Sequence, residues 1–170
     1  MKDIFNKWYV FLLELEGSAT DDPDDAGGYT EFGLSERFLK SHNLPRPKTA
    51  EEARPIYEKY FFYDHKFNLL PRKIACYAFL MGVLVGPQFV VRLLQKLVRV
   101  PVDGKLGPIT LGAIKSRNEK FLLEILAAHM CDHLFNVSNF RWGRNKKFII
   151  GWLRRNLVVF DYAINEKWKY

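Results

Sequence analysis

The chain has 170 residues, of which 48% are apolar in type and 15% are aromatic. This content suits one compact domain, or a domain with a small appendage, and excludes a disordered chain. The formal net charge is +7, but residues 1–64 carry 8 Lys/Arg and 13 Asp/Glu, whereas residues 65–170 carry 18 and 6. The basic part would attract a polyanion, and bacterial walls, nucleic acid and anionic membranes all qualify.

The cysteines and the N-terminus bear on the cellular compartment. Cys76 and Cys131 lie among apolar neighbours, which is typical of reduced core residues, with a disulfide as the alternative. No secretory signal is visible, because no long apolar run precedes Glu14. We therefore expect synthesis in the cytoplasm, so that any passage across a membrane depends on another system.

The first predicted elements are a helix, an acidic loop and two shorter helical segments. Residues 3–15 predict a helix, because their apolar side chains recur at spacings of three and four. The stripe consists of Phe5, Trp8, Tyr9, Leu12 and Leu13. Residues 17–33 are dense in Gly, Asp and Pro and predict a loop. Ser35 is a candidate N-cap, and Thr49 with Glu52 predicts a capping box before a helix over 50–62.

Further helices are predicted in the rest of the chain, and no segment alternates as a strand would. Their ranges are 72–85, 87–98, a segment from Pro108, 118–135 and 146–168. Asp103-Gly104 is typical of a tight turn, and Pro108 suits a first helical position. In the last helix we expect Phe148, Trp152 and Phe160 to be the anchors. The predicted fold is therefore mostly α, with little or no β-structure.

Residues 74–91 contain no charged side chain and are long enough to be a transmembrane candidate. The Gly86-Pro87 pair interrupts the run near its end, and helical periodicity resumes after it. We favour a buried central helix, and a membrane segment is the alternative.

Glu16 ends the first predicted helix and precedes the acidic loop. The negative end of a helix dipole and burial behind an aromatic side chain both favour the protonated form of a carboxyl group. A general acid near neutral pH needs such surroundings. Glycoside hydrolysis usually uses a second carboxylate, which the four aspartates between residues 21 and 25 can supply. A solvated turn and an oxygen-rich calcium site are the alternatives.

The stretch from Glu16 to Leu34 resembles the signature of glycoside hydrolase family 108, E-G-G-x-x-x-D-P-x-D-x-G-G-x-T-x-x-G-I. The matched positions are Glu16, Gly17, Asp22, Pro23, Asp25, Gly27, Gly28, Thr30 and Gly33. Ser18 and Leu34 replace the second glycine and the final isoleucine. The resemblance continues through the segments 53–61, 70–75, 92–95, 102–114 and 148–155, so it spans nearly the whole chain.

The resemblance implies a lysozyme-like N-acetylmuramidase, as found among phage-type endolysins and secretion activator proteins. Such an enzyme cuts the bond between N-acetylmuramic acid and N-acetylglucosamine in peptidoglycan. Glu16 takes the position of the family's catalytic acid. Four other residues are assigned to substrate binding or water positioning, namely Asp22, Asp25, Tyr29 and Thr30.

The resemblance also implies a domain organisation and partners. Residues 1–98 correspond to a lysozyme-like catalytic region, and residues 99–170 to a peptidoglycan-binding helical region packed on it. We expect a monomer that binds peptidoglycan and needs no cofactor, with contact to anionic membrane through 74–91 as a further option. We also expect it to act in the periplasm or cell wall, after release or export by another system.

One segment departs from the family pattern. Where the family has F-D-x-A-V-N-x-G-P, residues 79–87 read FLMGVLVGP, so that Leu80 replaces the Asp and Leu84 the Asn. Positions four apart share a helix face, so both polar groups are lost from one surface. We favour a repacked core with activity kept. The alternative is a catalytically diverged relative that binds the cell wall or associates with a membrane.

Two other patterns suggest ligands. His129 and His133 have a spacing that can hold zinc, but Met130 stands where a zinc protease motif has glutamate, so we expect surface histidines and no metal. Residues 141–147 and the pair Arg154-Arg155 mix Trp with positive charge. They suit nucleic acid phosphates, the carboxylates of muramyl peptides or a solvated face. No nucleic-acid fold signature accompanies them, so we expect no nucleic acid partner.

Overall fold

Helices make up most of the protein, which a computed structural model describes over residues 2–16, 30–140 and 148–165. The α-helices in this part of the chain are α1 (Lys2–Glu16), α2 (Glu36–Ser41), α3 (Ala50–Ile56), α4 (Arg72–Val85), α5 (Pro87–Val98), α6 (Pro108–Lys115), α7 (Glu119–Phe140) and α8 (Ile149–Asn165). The two short strands β1 (Thr30–Glu31) and β2 (Leu34–Ser35) form an antiparallel hairpin. A π-helix (Tyr57–Tyr63) and a 3-10 helix (Phe67–Leu69) lie between α3 and α4. The predicted mostly α fold is confirmed.

The chain divides by packing into two units, Met1–Phe61 and Phe62–Tyr170. The first unit contains α1, the hairpin, α2 and α3, and the second contains α4 to α8. The boundary predicted near residue 98 concerns function, with a catalytic region before it and a binding region after it. That boundary stays a prediction.

In the first unit, the predicted helix caps are present. Ser35 Oγ accepts a hydrogen bond from Phe38 N at 3.3 Å, and Thr49 Oγ1 accepts one from Glu52 N at 3.3 Å. The Glu52 side chain reaches back to the backbone N of Lys48 at 2.7 Å, one residue before the cap. The helix predicted over 50–62 is divided, because α3 changes to the π-helix after Ile56. This change follows Pro55, which has no N–H to continue the α-helical pattern.

The buried face of α1 is close to the predicted stripe. Phe5, Trp8, Tyr9 and Leu12 are buried as expected. The fifth buried large side chain is Phe11 rather than Leu13, which is half-buried. The apolar face of α1 is therefore turned slightly from the one that the spacing predicts.

In the second unit, α4 is the central helix. Every residue from Ile74 to Gly82 is buried, and α4 packs against α5, α7 and α8. Partners on several sides explain why this segment is apolar all round, and the predicted buried helix is confirmed. None of the helices in the described residues is both long enough and apolar enough to cross a membrane.

The inner face of α8 differs from the predicted one. Its buried residues are Asn156, Val159, Tyr162 and Ala163. The expected anchors Phe148, Trp152 and Phe160 are only half-buried, so that prediction was wrong. Phe148 and Trp152 instead stack on each other, with ring centroids 6.0 Å apart. The prediction placed the largest aromatic side chains on the buried face of α8. That face instead includes the polar residue Asn156.

Asn156 is fully buried and joins three helices. Its Oδ1 accepts a hydrogen bond from the hydroxyl of Tyr77 on α4. Its Nδ2 donates to Ala127 O and Cys131 Sγ on α7, each at 3.0 Å. Burial raises the pKa of Tyr77, so this phenol keeps its proton and remains a donor. Neither Cys131 nor the buried Cys76 is part of a disulfide.

We expect Asn156→Ala to lower the free energy of unfolding by about 2–4 kcal/mol, because it leaves a buried phenol without its acceptor. Denaturant unfolding followed by circular dichroism measures this loss. Asn165→Ala is the matched control, since Asn165 is exposed and donates a hydrogen bond to Asp161 on the same helix. Equal stability of the two variants would show that the buried asparagine does not hold the helices together.

Candidate active site

The hairpin that follows the acidic loop has a two-residue turn. Thr30 pairs with Ser35 and Glu31 with Leu34, which leaves Phe32 and Gly33 at the tip. Their φ angles are +51° and +75°. Two-residue hairpin turns of type I′ need positive φ at both positions, and glycine adopts it without steric cost. The turn therefore explains why the sequence has glycine at position 33.

Gly33 lies directly against the carboxyl group of Glu16. A methyl group at position 33 would stand 2.7 Å from Glu16 Cδ and 2.7 Å from Glu16 Oε2. It would also stand 2.7 Å from the hydroxyl oxygen of Tyr57. The turn thus approaches both polar groups more closely than any side chain would permit. Glu16 Oε1 is shielded from solvent, so the end of α1 presents a partly enclosed carboxyl group.

Tyr57 holds the turn in place from the start of the π-helix. Its side chain is fully buried, and its hydroxyl donates a hydrogen bond to Phe32 O at 2.7 Å. Its ring packs against Tyr9 and Phe61, with centroids 5.7 Å and 5.1 Å away. The backbone of the turn is therefore fixed from behind by a side chain that itself cannot move freely.

Tyr9 links α1 to α3 behind the same group. Its hydroxyl donates to Ala50 O at 2.5 Å. Burial, followed by the nearby carboxylate of Glu51, raises the pKa of Tyr9 to about 12. The phenol therefore stays neutral, and this bond remains, throughout the physiological pH range. Two tyrosines thus brace the helix that carries Glu16.

We expect Tyr57→Phe to lower activity more than stability. The lost bond to Phe32 O costs about 1–2 kcal/mol of unfolding free energy. Displacement of the turn beside Glu16 lowers the rate by between about 10- and 100-fold, because small misplacements of reacting groups are costly. Rate assays beside thermal unfolding separate the two effects. Tyr60→Phe is the control, since Tyr60 is half-buried in the same π-helix, and an equal loss in both variants would exclude a specific role for Tyr57.

The structure places only part of the predicted site. Glu16 ends α1, and the backbone of Thr30 lies in β1. Asp22, Asp25 and Tyr29 lie outside the described residues, so the second carboxylate and the substrate-binding roles stay predictions. Sequence reasoning missed Tyr57 as a site residue, although it lies in the segment 53–61 that carried the resemblance. The signal was the family segment A-x-x-I-Y, whose fixed tyrosine falls on position 57.

The two leucines that depart from the family pattern lie in the second unit. Leu80 is fully buried within α4, and its backbone O accepts a hydrogen bond from Arg155 Nη2 at 3.3 Å. Leu84 is half-buried near the end of the same helix. The Leu80 side chain is thus part of the hydrophobic core, which supports the interpretation that this core has been repacked.

The two histidines of α7 contact neighbouring protein groups. His129 is exposed, with Nδ1 3.0 Å from Ile125 O, and the His133 ring stacks on Phe89 at a centroid distance of 3.9 Å. Burial lowers the pKa of His133, which favours its neutral form. The described residues contain no group of three or more side chains placed to hold a metal ion. The basic segment 141–147 lies outside those residues.

Comparisons with known families agree with this geometry. Residues 9–86 match the family model Glycosyl hydrolase 108, and residues 89–157 match the model Predicted Peptidoglycan domain. The two halves define a glycoside hydrolase of lysozyme-like, mostly helical fold that acts on peptidoglycan. Residues 9–86 belong to the glycosyl hydrolase 108 family by this match.

A solved structure supports the fold across the whole chain. SagA of Brucella abortus superposes with a TM-score of 0.83 at 24% sequence identity, over 96% of this chain and 95% of that one. Curated proteins gave no match in sequence. The similarity in fold to SagA therefore covers both of the regions that match family models.

Proposed function

We propose that the protein is a peptidoglycan N-acetylmuramidase in which Glu16 is the general acid. The observation that supports this most directly is the enclosed carboxyl group at the end of α1, against Gly33 and beside the Tyr57 hydroxyl. It lies within the region that matches the glycosyl hydrolase 108 model. A carboxyl group held by rigid elements is what acid catalysis requires.

In the proposed reaction, Glu16 transfers its proton to the glycosidic oxygen as the bond from that oxygen to the anomeric carbon breaks. A water molecule attacks the anomeric carbon and becomes the new hydroxyl group of the muramic acid. Its proton passes to a basic group, for which Asp22 and Asp25 are the candidates. Thr30, on the strand that leads into the turn, is the candidate for orienting the water.

The proposed setting follows from the substrate. Peptidoglycan lies outside the cytoplasmic membrane, so the enzyme acts in the periplasm or cell wall after release or export by another system. An endolysin-like role in cell wall lysis fits this setting. Monomeric behaviour and the absence of a cofactor requirement remain part of the proposal.

The test is the identity of the sugar at each new chain end. Purified sacculi are digested, the products are reduced with borohydride, and the reduced sugars are identified by mass spectrometry. We expect reduced N-acetylmuramic acid, in amounts that grow with the loss of turbidity. Reduced N-acetylglucosamine would contradict the bond specificity. Binding to sacculi without new reducing ends would instead support a wall-binding protein that has lost its activity.

A further inference from the structure

Three cationic side chains follow one another along the exposed side of α5. Arg92, Lys96 and Arg99 are all exposed, and their spacings of four and three residues place them within about 60° of one another around the helix axis. The other side of α5 is buried through residues such as Val91 and Leu94. We call these three cations the α5 basic stripe.

The charge of the α5 basic stripe is not neutralised by nearby acids. The sequence contains no Asp or Glu between Asp64 and Asp103. The ion pairs of Glu36 with Lys40 and Arg46, and of Glu58 with Arg54, include no member of the stripe. Like charges four residues apart repel each other and weaken a helix. The helix dipole favours Lys96 and Arg99 at the C-terminal end of α5. Arg92 lies before the last turn, so neither the dipole nor its like-charged neighbour accounts for a cation at that position.

Arg99 stands where a glycine would be favoured. It is the C-cap of α5, with φ +60° and ψ +48°. This left-handed conformation is common at the ends of helices, usually with glycine, because a side chain there is strained. Replacing Arg99 with glycine would therefore relieve backbone strain at the end of the stripe.

Asp103, the acidic residue nearest to Arg99 in the sequence, accepts hydrogen bonds from groups outside the stripe. Asp103 Oδ1 accepts hydrogen bonds from Gln95 Nε2 at 2.7 Å and from Lys105 N at 2.8 Å. The buried Gln95 also binds the turn through its Oε1, which accepts from Gly104 N at 2.8 Å. A methyl group at Gly104 would stand 3.0 Å from Arg92 Nε. A fixed turn therefore lies against the first member of the α5 basic stripe and restricts its side chain.

We propose that the α5 basic stripe binds the carboxylates of the stem peptides of peptidoglycan. Arginine and lysine form charge-assisted hydrogen bonds with carboxylates, and arginine can use two at once. The stripe lies within residues 89–157, the match to the peptidoglycan domain. The N-acetylated sugars are neutral, so the peptides carry the charge of this polymer. The inference rests on peptidoglycan being the substrate, as in the proposed function, and not on the role of Glu16.

Binding is measured in the full chain carrying Glu16→Gln, so that hydrolysis does not remove the polymer. The stripe variant adds R92Q, K96Q and R99Q, and the control adds K115Q, R117Q and K120Q. The control side chains are also exposed cations of the second unit, so both sets change the charge equally. In cosedimentation with purified sacculi, we expect the stripe variant to bind about ten-fold more weakly and the control to bind like its parent. With sacculi whose carboxylates are converted to methylamides by carbodiimide and methylamine, we expect all three to bind equally weakly.

A single substitution separates binding from folding. Arg99→Gly relaxes the left-handed strain, so we expect a higher melting temperature together with binding weakened by about two- to five-fold. A gain in stability with weaker binding supports the proposal even if the triple variant fails to fold. Unchanged binding by Arg99→Gly and by the triple variant would overturn it.

Three further results would also overturn the inference. One is an equal loss in the control, which indicates only general charge attraction. Another is retained stripe-dependent binding to sacculi whose carboxylates are blocked as methylamides. The third is a loss seen with vesicles of phosphatidylglycerol and phosphatidylcholine but not with sacculi, which indicates a membrane surface. Release of reducing ends by the Glu16→Gln chain would instead contradict the role of Glu16 in the proposed function. It would not affect the conclusion drawn from the binding comparison.

Discussion

Glu16→Gln is expected to lower the rate of wall hydrolysis by between about 100- and 10,000-fold, the range in which a general acid contributes. Glutamine keeps the shape of the side chain but has no proton that it can transfer to the glycosidic oxygen. The contact with Gly33 involves the carboxyl carbon and one oxygen, and an amide group of the same size fits it. We therefore expect unchanged circular dichroism and a melting temperature within a few degrees of the parent.

Glu14→Gln is the matched control, because Glu14 lies on the same helix two residues earlier and is exposed. The substitution has the same chemistry and the same effect on net charge. We expect full activity from this variant. A rate for Glu16→Gln within ten-fold of the parent, or an equal loss for Glu14→Gln, would exclude Glu16 as the acid.

Gly33→Ala is expected to have the second largest effect. Its new methyl group would overlap with both the Glu16 carboxyl and the Tyr57 hydroxyl, and the positive φ at this position adds strain. Strain of this kind costs about 1–3 kcal/mol of unfolding free energy. Movement of the turn away from Glu16 lowers the rate by about 100-fold. Activity and thermal unfolding, measured on the same preparation, test both parts.

Gly112→Ala provides the control with the opposite sign. Gly112 lies inside α6, and a methyl group there meets nothing within 4 Å. Alanine in the interior of a helix is more favourable than glycine by about 1 kcal/mol. We expect a slightly more stable protein of unchanged activity. If Gly33→Ala behaved in the same way, the close approach of the turn to Glu16 would have no functional meaning.

The helical architecture could be predicted from the sequence because its signals are local. Apolar spacing identified α1, and the caps at Ser35 and Thr49 were visible as residue types next to the helices that they begin. The Gly86-Pro87 pair placed the boundary between α4 and α5 correctly. Each of these features depends on neighbours within about five residues, which a sequence displays directly.

The features that depend on tertiary packing could not be predicted. The buried Asn156 holds α4, α7 and α8 together, although a polar residue in an amphipathic helix is ordinarily assigned to the solvent face. Tyr57 reaches a turn that lies 25 residues earlier, and no local pattern shows such a contact. The end of α7 was also missed, since the helix continues to Phe140 rather than ending at residue 135.

The candidate site also has features that the sequence shows and features that depend on tertiary contacts. Glu16 could be predicted because it combines a helix end with a motif at fixed spacing. The reason for glycine at position 33 could not be predicted. It is the lack of space for a methyl group beside the side chains of Glu16 and Tyr57, which belong to other elements. Leu80 could be recognised in the sequence as a departure from the family pattern, but only the structure places its side chain in the buried core of α4.

The most direct measurement of the central claim is digestion of purified sacculi in water enriched in heavy oxygen, followed by mass spectrometry of the released fragments. Hydrolysis assisted by Glu16 predicts one heavy oxygen atom at the anomeric carbon of each terminal N-acetylmuramic acid, and no such fragments from the Glu16→Gln variant. Terminal muramic acid without the label, label on N-acetylglucosamine, or labelled fragments from Glu16→Gln at the parent rate would each contradict the account.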